Sequence, residues 1–332
     1  MKDSMTKYRP DIDGLRAVAV MAVVLFHFNV FNSLTKAGFI GVDIFFVISG
    51  YLITQVLISD MDSERWLARF YLRRVRRIFP ALLIVLVVVF ILASLIMLPY
   101  EFKEFGQEVI GGSSFSSNLI YFLQSGYFDQ SSQQKPLLHL WSLGIEEQFY
   151  LFWPILIWSI LRFRWNLTIV LSLVTSASFV YCQLLSSISQ DLSFYSPISR
   201  AWELGVGGLL ACFNVNKPKK NHKFLSNLGS LVLIASFVLI DRHNSWPSIY
   251  TILPVLGTYL VLSGYSTVSF TSKFLSNPIL VYIGRISYPL YLWHWPVYVF
   301  FGLQKGDSLN KSEKLLMFSL AFLLAILTYH YL

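Results

Sequence analysis

Apolar runs long enough to cross a bilayer recur from one end of this chain to the other, and they restrict the fold more than any other feature. The hydrocarbon core holds no water, so a spanning segment must satisfy its own backbone N–H and C=O groups, which an apolar run of about 20 residues does as a helix. Composition agrees: 332 residues that are 55% apolar, 17% aromatic and only 13% charged are too apolar for a soluble domain. The fold class read from this is all-α, a polytopic transmembrane helical bundle forming a single domain over 1–332. About ten spans are expected, at roughly 13–31, 39–58, 79–98, 139–161, 167–186, 198–213, 224–241, 249–265, 278–302 and 313–332. The amphipathic stretch Gly106–Leu123 reads as a helix lying on or dipping into the surface. Gly205, Gly207 and Gly208 in the short sixth span suit close helix packing. The first apolar run follows Asp11 and Asp13 and has no small-residue cleavage site, so it reads as a retained helix.

Lysine and arginine set the expected orientation. With the N-terminus cytoplasmic, the inner segments hold seventeen basic residues: Lys2, Lys7, Arg9, Arg16, Arg65, Arg69, Arg73, Arg74, Arg76, Arg77, Arg162, Arg164, Lys217, Lys219, Lys220, Lys223 and Lys273. The outer segments hold six: Lys36, Lys103, Lys135, Arg242, Lys305 and Lys311. This positive-inside bias puts both termini in the cytoplasm and accounts for much of the net charge of +8. Cys182 and Cys212 fall near opposite faces, so no disulfide is expected, and no Cys/His spacing suggests a metal.

Ionisable residues inside such runs are candidates for function because they are costly there unless paired or hydrated. Arg16 and His27 are eleven apart, about three turns, on nearly one helix face and separated by ~16 Å. Asp43 lies one turn into the next span and reads either as a carboxylate that orients His27 or as a helix N-cap. Ser49 and Gly50 read as packing residues rather than nucleophile chemistry. Arg73, Arg74, Arg76 and Arg77 exceed what orientation needs; they suit anionic headgroups or a cytoplasmic phosphate ligand. His139 and Glu146 are two turns apart on one face and suit an outward-facing cavity, with Glu146 as acceptor or base. Glu147 points about 100° away from Glu146 and is expected, with His139, at the substrate. Arg200 and Glu203 can pair at i, i+3 or meet a substrate. Tyr288 and His294 lie in an aromatic, proline-kinked segment that suits a sugar or acyl passage or, equally, aromatic-belt packing. The serine-esterase-like Gly306-Asp-Ser-Leu309 lacks the context of that motif and reads as coincidence.

Five ordered motifs then resemble the acyltransferase 3 family of bacterial integral-membrane enzymes. They are Tyr8-Arg-Pro-Asp-Ile-Asp-Gly-Leu-Arg-Ala17 with His27 eleven beyond Arg16, Phe45-Phe-Val-Ile-Ser-Gly50, Phe70-Tyr-Leu-Arg-Arg-Val-Arg-Arg-Ile-Phe-Pro80, Trp141-Ser-Leu-Gly-Ile-Glu-Glu-Gln-Phe-Tyr150 and Ser287-Tyr-Pro-Leu-Tyr-Leu-Trp-His294. The resemblance implies a multi-pass inner-membrane protein that takes an acyl group from cytoplasmic acyl-CoA, usually acetyl-CoA. It implies an acceptor hydroxyl on the outer side, such as that of a lipopolysaccharide O-antigen, another surface polysaccharide or a lipid-linked glycan. On this sequence it implies His27 as essential imidazole, Arg16 and the Arg73–Arg77 cluster at the donor, and Glu146 near the acceptor. Membrane lipids are expected partners; nucleic acid and metal are not. Similar proteins often continue into an extracytoplasmic SGNH-type domain, and the stop at Tyr329-His-Tyr-Leu332 inside an apolar run raises the expectation of a truncated chain. The alternative function is a transporter of a lipid-linked glycan or acyl group that performs no chemistry of its own.

Overall fold

The computed structural model describes residues 8–30, 35–61, 63–124, 134–215, 222–241, 244–305 and 309–332. Lys2, Lys7, Lys217, Lys219, Lys220 and Arg242 of the charge count lie outside the described residues, as do the end of the first predicted span and Gly306-Asp-Ser308. Every regular element among the described residues is helical: α1 (Pro10–His27), α2 (Gly41–Asp60), α3 (Trp66–Ile96), α4 (Pro99–Ser113), α5 (Ser117–Gln124), α6 (Leu140–Arg162), α7 (Leu167–Ile188), α8 (Gln190–Tyr195), α9 (Pro197–Val215), α10 (Lys223–Leu239), α11 (Ile252–Ser263), α12 (Phe270–Leu275), α13 (Pro278–Arg285), α14 (Ser287–Lys305) and α15 (Lys311–Tyr331), with short 3₁₀ turns before α2 and α11. By length and composition four stretches among them can cross a membrane, namely Gly38–Asp60, Trp66–Ile96, Leu167–Ile188 and Lys311–Tyr331. The lipid-facing side of α3 is plain: Leu83, Val87, Ile91 and Leu95 repeat every fourth residue and are exposed, while Leu82, Val85, Leu86, Val89 and Ala93 are buried.

Local chemistry sets the helix ends. Pro10 at the first position and Asp11 and Asp13 in the first turn start α1, pre-setting φ and opposing the helix dipole. Asn310 and Glu313 exchange side-chain-to-backbone hydrogen bonds of 2.9 Å and start α15. Three boundaries differ from the expected ones. The third span is predicted from 79, but α3 begins at Trp66, because arginine and leucine sustain a helix and carry it through Pro80. The predicted span 278–302 is two helices broken at Ile286; Pro289 has no N–H to give the Arg285 carbonyl. The stretch Gly106–Leu123 falls within α4 and α5, which are separated by a turn in which Phe115 has φ 55°, and each is too short to cross a core of about 30 Å. Cys182 and Cys212 are free and buried.

Glycine lets the buried helices approach closely. A Cβ on Gly50 of α2 would lie 1.8 Å from the Leu204 oxygen of α9, and one on Gly207 of α9 would lie 2.1 Å from the Val47 oxygen of α2. The two helices therefore cross with backbone against backbone. In the same way α13 seats on α1, where a Cβ on Gly284 would lie 1.8 Å from the Asp13 oxygen. A Cβ on Gly106 meets nothing within 4 Å. Gly50→Ala is therefore expected to lower the thermal unfolding midpoint in detergent by at least about 3 °C through overpacking. Gly106→Ala, measured alongside, is expected to leave it unchanged or slightly raised.

Candidate functional site

Two cavities adjoin inside the bundle, and α1 places one ionisable residue in each. The narrower, about 110 Å³, is lined by Arg16 of α1, Ser49 of α2, Arg74 and Arg77 of α3, Glu146 and Tyr150 of α6, and Tyr288 and Tyr291 of α14, among others. The wider, about 770 Å³, is lined by His27, His139, Arg200 and a wall of aromatics that includes Trp141, Phe194, Tyr195, Trp246, Trp295 and Tyr298. Val42 and Tyr291 line both, so the cavities meet at these two side chains. The eleven-residue spacing of Arg16 and His27 thus spans from one cavity to the other along a single helix face.

In the arginine cavity, helical phase divides the basic cluster. Arg74 and Arg77 are i, i+3 on one face and line the cavity. Arg73 and Arg76 lie about 100° round the helix. Arg73 pairs with Asp60, and neither Arg73 nor Arg76 lines the cavity, so the structure brings two of the four predicted arginines to it. The Arg74 guanidinium lies over the rings of Tyr150, at 5.6 Å, and Phe70, at 5.9 Å. Arg16 keeps a loose pair with Asp13 at 3.7 Å. One oxygen of Glu146 accepts hydrogen bonds from the hydroxyls of Ser49 and Tyr150, which are themselves 2.8 Å apart. Gly50 is a packing residue, as expected, but Ser49 is a polar partner of Glu146. Glu147, expected at the substrate, lines neither cavity; it points away from Glu146 because adjacent helix residues diverge. Tyr288 also belongs to this cavity, its hydroxyl donating to the Ile78 carbonyl at 3.0 Å.

In the histidine cavity, α14 brings His294 to His27, with Nδ1 of His27 3.0 Å from Nε2 of His294. Nδ1 of His294 lies 2.6 Å from the Tyr291 carbonyl oxygen. Trp295 packs edge-on against His27, ring centroids 4.6 Å apart. His139 packs edge-on against His294 at 5.6 Å. Both ring nitrogens of His139 are buried and meet no hydrogen-bond partner among the described residues. Tyr291 closes the partition: its hydroxyl donates to the His139 carbonyl at 2.8 Å and lies 2.6 Å from Oγ of Ser142. His139 and Glu146, expected in one outward cavity, are therefore divided between the two. Among the described residues no group of three His, Cys, Asp or Glu side chains is placed to hold a metal ion.

Asp43 does not take the place expected beside His27. Its Oδ1 accepts from Nη2 of Arg200 at 2.8 Å, and Arg200 also meets Glu203 at 3.1 Å. The physical reason is the crossing of α2 with α9, which turns the first turn of α2 towards Arg200. All three side chains are fully buried, and Phe46 and Trp141 flank the guanidinium at 5.4 and 5.9 Å. The i, i+3 pairing of Arg200 with Glu203 is as expected.

A second clamp holds the entry to α6. Glu108 of α4 accepts from the Leu137 N–H at 3.0 Å and the Tyr121 hydroxyl at 3.1 Å, and the Lys135 carbonyl accepts from Nε1 of Trp295 at 2.8 Å. Burial pushes the Glu108 carboxyl up to about 7. Sequence reasoning missed Glu108, Tyr150, Ser142, Tyr291 and Trp295 as site residues. Tyr150 stands four residues from Glu146 and Tyr291 three from His294, spacings that bring helix side chains together. Trp246 comes from a connection between helices and carried no such signal.

A family model described as an acyltransferase domain, that of the acyltransferase 3 family, matches residues 9–330. The peptidoglycan O-acetyltransferase OatA of Listeria monocytogenes is 36% identical over 310 residues, covering 88% of this chain and 49% of the relative. The O-acetyltransferase OatA of Staphylococcus aureus is 35% identical over 314 residues, covering 89% and 51%. The chain thus spans about half the length of the curated relatives it matches. No solved structure matches.

The buried ion cluster makes an ordered prediction. Arg200→Met leaves two buried carboxylates facing each other without their cation, and is expected to lower stability by about 3–5 kcal/mol. Asp43→Asn leaves the Arg200–Glu203 pair balanced and is expected to be clearly milder. Thermal unfolding in detergent, with both variants at equal expression, measures the difference.

Proposed function

The chain belongs to the acyltransferase 3 family, and we propose that it transfers an acetyl group from cytoplasmic acetyl-CoA to a hydroxyl of a cell-envelope glycan on the opposite side of the plasma membrane. The observation that carries this reading is the meeting of two unlike cavities at Val42 and Tyr291. The arginine cavity supplies the guanidinium groups that an anionic donor needs, and its small volume of about 110 Å³ suits a thioester arm rather than a sugar. The histidine cavity is wide and aromatic with a few polar groups, the character of a site for a ring-shaped ligand. The positive-inside bias supports putting the arginine cavity on the cytoplasmic side.

In this reading Arg74, Arg77 and Arg16 hold the donor's phosphates and direct its acetyl end towards Tyr291. His27 takes the proton of the acceptor hydroxyl as that oxygen attacks the thioester carbonyl. The C–O ester bond forms, the C–S bond breaks, and the proton passes from the imidazolium to the departing thiolate, leaving free CoA thiol. Glu146, with Ser49 and Tyr150, belongs to the donor side. The Listeria relative's name favours peptidoglycan over lipopolysaccharide O-antigen as the acceptor.

Glycan mass spectrometry on a deletion strain complemented with the gene tests the reading. His27→Ala at equal membrane abundance is expected to lose the base-labile acetyl, since a positioned base contributes about 10²- to 10⁴-fold. An unchanged acetyl level would overturn the imidazole mechanism; loss of glycan export in the deletion strain, with no acetyl ester that depends on the gene, would favour a transporter. In membranes, Arg74→Ala and Arg77→Ala are expected to raise KM for acetyl-CoA, whereas Arg73→Ala and Arg76→Ala leave it near the parent value.

A further inference from the structure

We propose that His294 is a positioning residue that fixes the tautomer of His27, so that His27 carries its proton on Nδ1 and its basic lone pair on Nε2. The assignment follows from a chain of three groups read from its fixed end. A backbone carbonyl can only accept, so Nδ1 of His294, 2.6 Å from the Tyr291 oxygen, carries a hydrogen. A neutral imidazole has one N–H, so Nε2 of His294 is an acceptor. That acceptor lies 3.0 Å from Nδ1 of His27, which must then be the donor. The remaining nitrogen of His27, Nε2, holds the lone pair, on a ring that lines the histidine cavity.

The ring geometry supports a true hydrogen bond rather than a stack. The planes are 17° apart and the centroids 5.2 Å apart. That separation is close to the N···N distance plus the two ring radii, so the nitrogens face each other along the line joining the rings, and the donor's hydrogen and the acceptor's lone pair both lie in plane. Both histidines are held from outside the pair. His294 is completely buried and packs against His139, and Trp295, anchored on the Lys135 carbonyl, packs against His27. An imidazole kept in one tautomer by a partner at its second nitrogen is how catalytic and metal-binding histidines are aimed elsewhere. Here the fixed end is a helix backbone carbonyl instead of a carboxylate. Asp43, the carboxylate on the next helix, is engaged with Arg200.

The role for His294 rests on the reading of His27 as the base, but its test does not depend on activity. The protein is labelled with ¹⁵N-histidine, reconstituted in lipid bilayers and examined by solid-state NMR, with His27→Ala and His294→Ala spectra assigning the two rings. The expected result is a protonated Nδ1 and an unprotonated Nε2 for His27. An unprotonated Nδ1 on His27 in the parent protein would overturn the proposal even if transfer is fully confirmed. In the transfer assay, His294→Gln keeps an acceptor near the position of Nε2 and is expected to hold kcat within about tenfold of the parent. His294→Leu, which keeps none, is expected to lose at least about 10²-fold in kcat with KM for both substrates unchanged. Equal losses in Gln and Leu variants of equal stability would also overturn it.

Discussion

A polar group inside this bundle has only protein to bond to, and the architecture of the site follows from that constraint. Arg200 is buried because Asp43 and Glu203 are buried with it. Glu146 is tolerated because two hydroxyls meet it, and His27 because a second imidazole does. Each partnership joins helices far apart in the chain, so each is also a tertiary restraint. The glycine crossings of α2 with α9 and of α13 with α1 bring the backbones close enough for these short side chains to reach one another.

Helical phase within one segment was legible from the sequence. The alignment of Arg16 with His27 and the divergence of Glu147 from Glu146 follow from 100° per residue, and both are seen in the structure. The division of Arg74 and Arg77 from Arg73 and Arg76 follows from the same rule but needed a neighbour to say which face is inward. Rotation of one helix about its axis relative to another was not legible. Asp43 sits on the helix next to His27, yet α2 turns it to Arg200, 157 positions further on. Ser49 meets Glu146 across 97 positions, a contact that no local pattern announces. The break before α14 was legible in principle, since Pro289 removes a donor four residues after Arg285.

The two cavities differ in chemistry: guanidinium groups line one, imidazoles and aromatic faces the other. Tyr291 belongs to both, and its backbone and hydroxyl act in different directions. The hydroxyl ties α14 to the start of α6, while the carbonyl anchors His294. The partition between the cavities and the support of the imidazole pair are thus one structural unit, and a change in the partition would be felt at His27.

The central claim is that donor and acceptor approach the transfer site from opposite faces of the membrane. The most direct measurement uses proteoliposomes holding the protein, with the glycan acceptor sealed inside and radiolabelled acetyl-CoA added outside only. Label on the enclosed glycan, as a base-labile ester, is the predicted result. Label that appears only when acetyl-CoA and glycan share one compartment would contradict the account.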